Sequence, residues 1–194
     1  MTSIAVIDHG AGNLVSITRA LAHVGADVTT ITAGTDLGDF GAVVVPGVGA
    51  TGSVMRNMQR RELDRSVRAY DGPVLGICVG MQILFDHSTE NDNACLGLLR
   101  GRVRKLDATT LPHMGWNDVE GDDALLPSGR SSYYFVHSYA VDPEDEIVTG
   151  WTDVDADRFP SIVRSDRIVG VQFHPERSGP AGLEVLRRFV RTAR

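Results

Sequence analysis

The chain has 194 residues, 42% of them hydrophobic and 23% charged, enough for one domain with a complete core. Its formal net charge of -6 argues against a general nucleic-acid binder, and no apolar run approaches a membrane span. The amino terminus, Met1-Thr2-Ser3-Ile4, lacks the basic region and long apolar stretch of a signal peptide. The two cysteines, Cys78 and Cys95, suggest a reducing cytoplasm rather than a disulfide framework, and no C-x-x-C or H-x-x-x-H pair accompanies them to make a zinc site.

In chain order, Ile4 to Ile7 reads as a short buried strand, followed by the turn-rich Asp8-His9-Gly10-Ala11-Gly12-Asn13. Leu14, Ile17, Leu21 and Val24 then recur at helical spacing until Gly25 ends the helix. Val28 to Ile31 and Ala42 to Val45 are the next strands, and the loop Pro46-Gly47-Val48-Gly49 leads to an amphipathic helix over about 53–70. Arg56, Arg60, Arg61 and Arg65 on that helix read as a solvated or partner-facing surface, not a phosphate site. Val74 to Ile77 is a fourth strand, and a helix is expected from near Met81. Repeated strand–helix–strand units predict an α/β fold: an open, mostly parallel sheet flanked by helices.

After Cys95 the pattern changes. Gly101 to Arg104, Asn117 to Val119, Tyr133 to Val136, Ile147-Val148 and Ile168 to Val171 are short runs separated by turns, read as antiparallel strands or hairpins extending the sheet. A final helix starts near Pro180, with Ser178 as its expected N-cap and Leu183, Leu186, Phe189 and Val190 on its apolar side. No linker or repeat divides the chain, so a single domain spanning 1–194 is expected.

The most chemically pointed stretch is Gly76-Ile77-Cys78-Val79-Gly80. A free cysteine is usually a small buried hydrophobe. Here a strand leads into it, a helix leads away, and a glycine stands two residues off on each side, the spacing of a nucleophile elbow. Unpaired N–H groups at a helix start favour thiolate over thiol. Among six histidines, His174 ends the strand-like Val171-Gln172-Phe173 and is followed by Pro175-Glu176. In extended chain His174 and Glu176 share a face, so Glu176 can orient an imidazole acting as general base for Cys78. Gln82, one helical turn after Cys78, can meet a polar substrate head. Backbone N–H groups of Val48 and Gly49, with that of Val79, can form an oxyanion hole. These residues alone leave open a cysteine hydrolase or redox protein.

Six segments taken together resemble a known family. They are Ile7-Asp8-His9-Gly10-Ala11-Gly12-Asn13-Leu14, Pro46-Gly47-Val48-Gly49-Ala50, Leu75-Gly76-Ile77-Cys78-Val79-Gly80-Met81-Gln82, Pro112-His113-Met114-Gly115-Trp116-Asn117, Tyr134-Phe135-Val136-His137-Ser138-Tyr139 and Gln172-Phe173-His174-Pro175-Glu176-Arg177-Ser178-Gly179. The elbow and the H-P-E segment resemble the class I, triad-type glutamine amidotransferases. The opening motif, P-H-M-G-W-N and Y-F-V-H-S-Y narrow the resemblance to the glutaminase subunit of imidazole glycerol phosphate synthase. It implies hydrolysis of L-glutamine through a cysteinyl thioester at Cys78, His174 and Glu176, with no metal or organic cofactor. Gly47 and Tyr134 join Gln82 as expected substrate contacts. It also implies that ammonia passes to a (β/α)8-barrel cyclase subunit, in a heterodimer serving L-histidine biosynthesis. Gly10, Asn13, Met114, Trp116, Tyr134 and Arg177 are the expected interface, although Met114 and Trp116 read equally well as core. Four positions depart from the family's pattern: His9 for tyrosine, Thr51 for phenylalanine, Val79 for leucine and Arg177 for lysine.

Overall fold

The computed structural model describes residues 1–127 and 131–193. Strands β1 (Thr2–Ile7), β2 (Ala26–Ile31), β3 (Ala42–Val45) and β4 (Val74–Ile77) alternate with helices α1 (Leu14–His23), α2 (Thr51–Arg60) and α3 (Leu63–Ala69), and the single turn α4 (Val79–Gln82) follows β4. Then come β5 (His87–Ser88), β6 (Asn93–Ala94), β7 (Gly101–Lys105), β8 (His113–Gly121), β9 (Ser131–His137), β10 (Tyr139–Pro143), β11 (Val148–Val154), β12 (Asp157–Ser165) and β13 (Ile168–Val171). A 3-10 turn at Pro175–Arg177 leads into α5 (Gly179–Val190).

The main sheet runs β2-β1-β3-β4-β13-β12-β11-β8-β9. The first five strands are mutually parallel and the last four pair antiparallel; Ile168 to Val171, expected as an antiparallel extension, is instead β13, which lies parallel beside β4 inside the sheet and is antiparallel only to β12. Strands β3, β4 and β13 are buried along their whole lengths, which is why their sequences are unbroken apolar runs rather than alternating ones. β1 pairs with β2 on one side and β3 on the other, so the chain reverses its winding direction there. Such switch points open a crevice at the carboxyl ends of the strands. Among the described residues no helix is long and apolar enough to cross a membrane.

Four further local expectations are corrected. The helix over 53–70 is two helices, because Glu62 turns left-handed (φ 58) and the Arg61 carbonyl accepts from Gly34 N–H instead of continuing the helix. The helix after the elbow is one turn long, so its contribution to thiolate stability comes from a few orphan N–H groups and not from a long macrodipole. Gly101 to Arg104 does not extend the main sheet. It pairs with β10 in a separate sheet ordered β10-β7-β5-β6. Ser178 precedes α5 but makes no side-chain cap; its hydroxyl donates to the His174 carbonyl at 2.6 Å and accepts from Tyr134 N–H at 3.0 Å.

Two charge pairs lock the antiparallel half. Arg104 grips Asp157 with both terminal nitrogens at 2.7 and 2.8 Å, tying the small sheet to β12. Asp123 is buried and takes a bidentate pair from Arg164 (2.8 and 2.7 Å), the Leu125 N–H and the Thr149 hydroxyl. Burial alone would raise the Asp123 pKa, but these donors hold it below the usual carboxylate value. That stability is present above the unfolded carboxyl pKa and is lost as pH falls through the lower folded one. Asp123→Ala should destabilise the domain by about 3 kcal/mol in urea titration at pH 7, the low end for breaking a buried pair because Arg164 keeps some contact with water. The difference should narrow at acid pH.

Candidate active site

Three neighbouring parallel strands each carry one component of the site just past their carboxyl ends: Pro46 to Gly49 after β3, Cys78 after β4 and His174 after β13. Cys78 adopts φ 53, ψ -113, a strained conformation worth roughly 1–3 kcal/mol. The bracketing glycines permit it sterically. A Cβ on Gly76 would lie 2.8 Å from the Met81 Cα, and one on Gly80 would lie 1.8 Å from the Val45 carbonyl oxygen. A Cβ on Gly47 would sit 2.7 Å from Gly80 N, so the Pro46–Gly49 loop packs directly on the elbow.

A cavity of about 270 Å³ opens there, lined by Val48, Gly49, Cys78, Val79, Gln82, Glu90, Pro112 and Val136 to Tyr139. This is small for a ligand pocket, near the low end of about 300–1,000 Å³, and suits one amino acid rather than a nucleotide. Gly47 and Tyr134 are placed elsewhere. Gly47 lies behind the wall against Val79, and Tyr134 sits under the Arg177 guanidinium, 4.5 Å from its ring centre. Glu90 is a wall residue that sequence reasoning missed; its segment carries no motif, and only the fold brings it across to the elbow. Its carboxylate accepts from the Thr51 N–H at 2.8 Å, while the Thr51 hydroxyl bonds Ser88 at 2.8 Å. The N–H bond is one any residue could make, but the threonine hydroxyl also lies 3.2 Å from the same carboxylate oxygen, a contact the family's phenylalanine could not supply.

His174 and Glu176 meet, but through the 3-10 turn Pro175–Arg177 and not through the extended chain expected there: Nδ1 lies 2.9 Å from Glu176 Oε1, both side chains almost fully buried. The N–H of His174 donates to the Tyr134 carbonyl at 2.9 Å, and Ser178 clamps its carbonyl, so the ring's position is set from both sides. Its Nε2 is buried and makes no hydrogen bond. Burial would lower the imidazole pKa, but the Cys78 sulfur and the Glu176 carboxylate outweigh it and raise the value to about 10. The sulfur and the carboxylate thus act together on the ring, although no direct bond between sulfur and ring is closed in this conformation. Cys78 Sγ lies 4.0 Å from the Val136 carbonyl oxygen and 3.5 Å from Gln172 Nε2.

His9, the second departure, is buried and its Nε2–H donates to the Pro46 carbonyl at 2.7 Å, holding the loop's first residue; burial lowers its pKa, which keeps the ring neutral. His137 lines the cavity and His113 packs against it from behind, among Phe135 and Phe159. Burial pushes His137 down to about 3 and lowers His113 as well.

Of the residues expected at an interface, Met114 and Trp116 are 66% and 59% exposed, which excludes the core reading. Trp116 meets the Tyr134 ring edge-on at 6.3 Å, and Gly10, Asn13 and Arg177 are exposed. Among the described residues the other exposed large hydrophobics are Met1, Val15 and Val48.

The family description "Glutamine amidotransferase class-I" matches residues 5–193. A solved structure described as a glutamine amidotransferase superposes with a TM-score of 0.78 at 19% identity, covering 97% of each chain. The structure of PurLQS from Thermotoga maritima gives 0.74 at 18%, covering 98% of each chain, and these two share the fold. Closer in sequence is imidazole glycerol phosphate synthase subunit HisH of Herpetosiphon aurantiacus, 42% identical over 98% of this chain and 94% of the relative. The subunit HisH of Dehalococcoides mccartyi is 40% identical, covering 98% and 97%. The chain belongs to the class I glutamine amidotransferases, in the family of subunit HisH of imidazole glycerol phosphate synthase.

The two thiols are set apart by their surroundings. Cys95 is buried beside Asn93, and burial pushes its pKa up to about 11. Treatment of the native protein with iodoacetamide at pH 7.5 should therefore modify Cys78 and spare Cys95, read by peptide mass spectrometry. Equal labelling of both would show that the elbow confers no reactivity.

Proposed function

We propose that this chain hydrolyses L-glutamine at Cys78 and delivers the ammonia to a (β/α)8-barrel cyclase subunit, in a cytoplasmic heterodimer of the histidine pathway. The observation that carries this reading is the cavity at the elbow, where the nucleophile, the backbone of Val48, Gly49 and Val79, and a carboxylate share one small space. Glu90 suits the α-ammonium group of an amino acid. Both N–H groups of Gln82 are already engaged, by the Tyr139 carbonyl at 2.8 Å and Gln172 Oε1 at 3.1 Å. Its carbonyl oxygen is thus the part of the amide left to accept from substrate.

In the reaction, the Cys78 thiolate attacks the side-chain amide carbon, and the Val48, Gly49 and Val79 N–H groups stabilise the oxyanion. The C–N bond breaks as imidazolium His174 gives its proton to the leaving nitrogen, forming ammonia and a γ-glutamyl thioester. Water then attacks the thioester, passing a proton to His174, and the C–S bond breaks to release glutamate and regenerate the thiolate–imidazolium pair. Glu176 keeps the Nδ1 proton on its side of the ring so that Nε2 faces the chemistry. Proton transfer of this kind contributes about 10²–10⁴ in rate, and each oxyanion donor about 10²–10³. The ammonia is used by the barrel subunit to form imidazole glycerol phosphate and aminoimidazole carboxamide ribotide.

The test is ammonia release from glutamine, measured for the chain alone and in complex with the barrel subunit in the presence of the latter's substrate. Cys78→Ala should abolish glutamine-dependent synthesis while leaving synthesis from added ammonium salts intact. No activity of the unaltered protein in any combination would overturn the reading. For the docking face, Trp116→Ala should weaken binding of the barrel subunit by about 30-fold, the effect of a central aromatic anchor. Calorimetric titration reads this directly, and an unchanged affinity would move the interface elsewhere.

A further inference from the structure

Gln172 was not singled out by its sequence, yet it is fully buried and its Nε2 lies 3.5 Å from the Cys78 sulfur. An amide can present either its oxygen or its nitrogen to such a neighbour, and the two have opposite consequences. An N–H favours thiolate, whereas a carbonyl favours thiol.

The surrounding hydrogen bonds decide which it is. The Tyr139 carbonyl can only accept, so the Gln82 group 2.8 Å from it must be the nitrogen. That nitrogen's second N–H reaches Gln172 at 3.1 Å, which requires the Gln172 oxygen to face it. The Gln172 nitrogen is thereby turned to the sulfur. The constraint extends outward from Tyr139. His137 Nδ1 lies 2.9 Å from the same carbonyl and must carry the proton, so His137 Nε2 accepts from His113 Nδ1 at 3.1 Å. His113 Nε2 in turn accepts from Asn117 Nδ2 at 3.2 Å. Burial keeps both rings neutral, which preserves the donor-to-acceptor sense along the whole row.

We infer that Gln172 is a positioning residue for the nucleophile: its amide N–H, aimed by Gln82 and the Tyr139 carbonyl, stabilises the Cys78 thiolate. The sulfur lies between two polar groups of opposite sense, Gln172 N–H and the Val136 carbonyl at 4.0 Å. A protonated thiol can donate to Val136. Once ionised it has only Gln172 of the two to turn to, so ionisation favours the Gln172 side. This inference rests on Cys78 being the nucleophile proposed above.

Gln172→Met keeps the length of the side chain and removes the donor. Its expected effect is an upward displacement of the pH midpoint for Cys78 alkylation by iodoacetamide, by about one unit, with a tenfold loss of alkylation rate at pH values below both midpoints. In complex with the barrel subunit, kcat for glutamine hydrolysis should fall by about the same factor while KM stays within about twofold. Gln172→Glu keeps the shape and the acceptor toward Gln82 but sets a carboxylate against the sulfur, and should displace the midpoint further in the same direction. Should the Met variant unfold in circular dichroism, the Glu variant carries the test. An alkylation profile identical to that of the unaltered protein in a folded variant would overturn the inference. Alkylation needs no glutamine turnover, so that failure is distinct from a failure of the unaltered protein to hydrolyse glutamine.

Discussion

The contact on which the site depends is between two stretches of backbone. Gly80 lies so near the Val45 carbonyl that no side-chain carbon fits between them, and Gly47 is pressed against Gly80 N less tightly but still too closely for one. This approach brings the end of β3 against the elbow after β4. It places the Val48–Gly49 loop and the cysteine on the same cavity and turns Cys78 into a backbone conformation that a relaxed strand-to-helix turn would not adopt. The strain is held by a buried parallel sheet whose three central strands have no exposed residue. Close-packed surroundings of that kind cannot relax locally, so they can hold such a conformation at modest expense in stability.

The same rigidity gives one residue type several chemistries. His174 has Glu176 on one side and the Cys78 sulfur within electrostatic reach on the other, and its proton is held up to about pH 10. His137 is as deeply buried but has a carbonyl and another imidazole for neighbours, and it stays neutral down to about pH 3. His9 is also neutral, held by the Pro46 carbonyl. Burial penalises the charged form in each case, and a nearby negative charge reverses the outcome only at His174. The two cysteines are likewise separated by surroundings: one at a strained elbow between a donor and an acceptor, the other sealed away with its thiol pKa raised.

How much of this could be read from the sequence follows from the range of the interactions. The parallel half was legible because fully buried strands are continuous apolar runs and the helices between them keep a 3.6-residue period. The elbow was legible because its glycines act on neighbours in sequence. The pairing of His174 with Glu176 was legible from their closeness in sequence, but the extended chain assumed for it is a 3-10 turn that swings Glu176 back to the ring. The break at Glu62 was not legible, since a carbonyl captured by distant Gly34 interrupts a helix whose pattern continues. Nor was the second sheet, because short polar strands do not announce their partners. Ser178 has the composition of a cap but is used by Tyr134 and His174, which are contacts made through the fold. Glu90 joins the cavity from a segment whose spacing gives no hint of it, whereas Gln172 stands two residues before His174, where alternation gives the shared side but not the meeting of its amide with the sulfur.

Strands β8 and β9 carry two different surfaces at once. Their register sets His113 opposite His137 and Trp116 opposite Tyr134. Along β8, Met114 and Trp116 project to solvent while His113 and Asn117, on either side of that pair, belong to the hydrogen-bonded row that reaches the cavity wall at His137. With a side-chain period of two, sliding this pairing by a single residue would exchange the faces. The apolar anchors would be driven inward and the neutral imidazoles out to water. An insertion or deletion of one residue in this hairpin would therefore damage both the outer surface and the support of the cavity wall, whereas two residues gained or lost together would preserve the alternation.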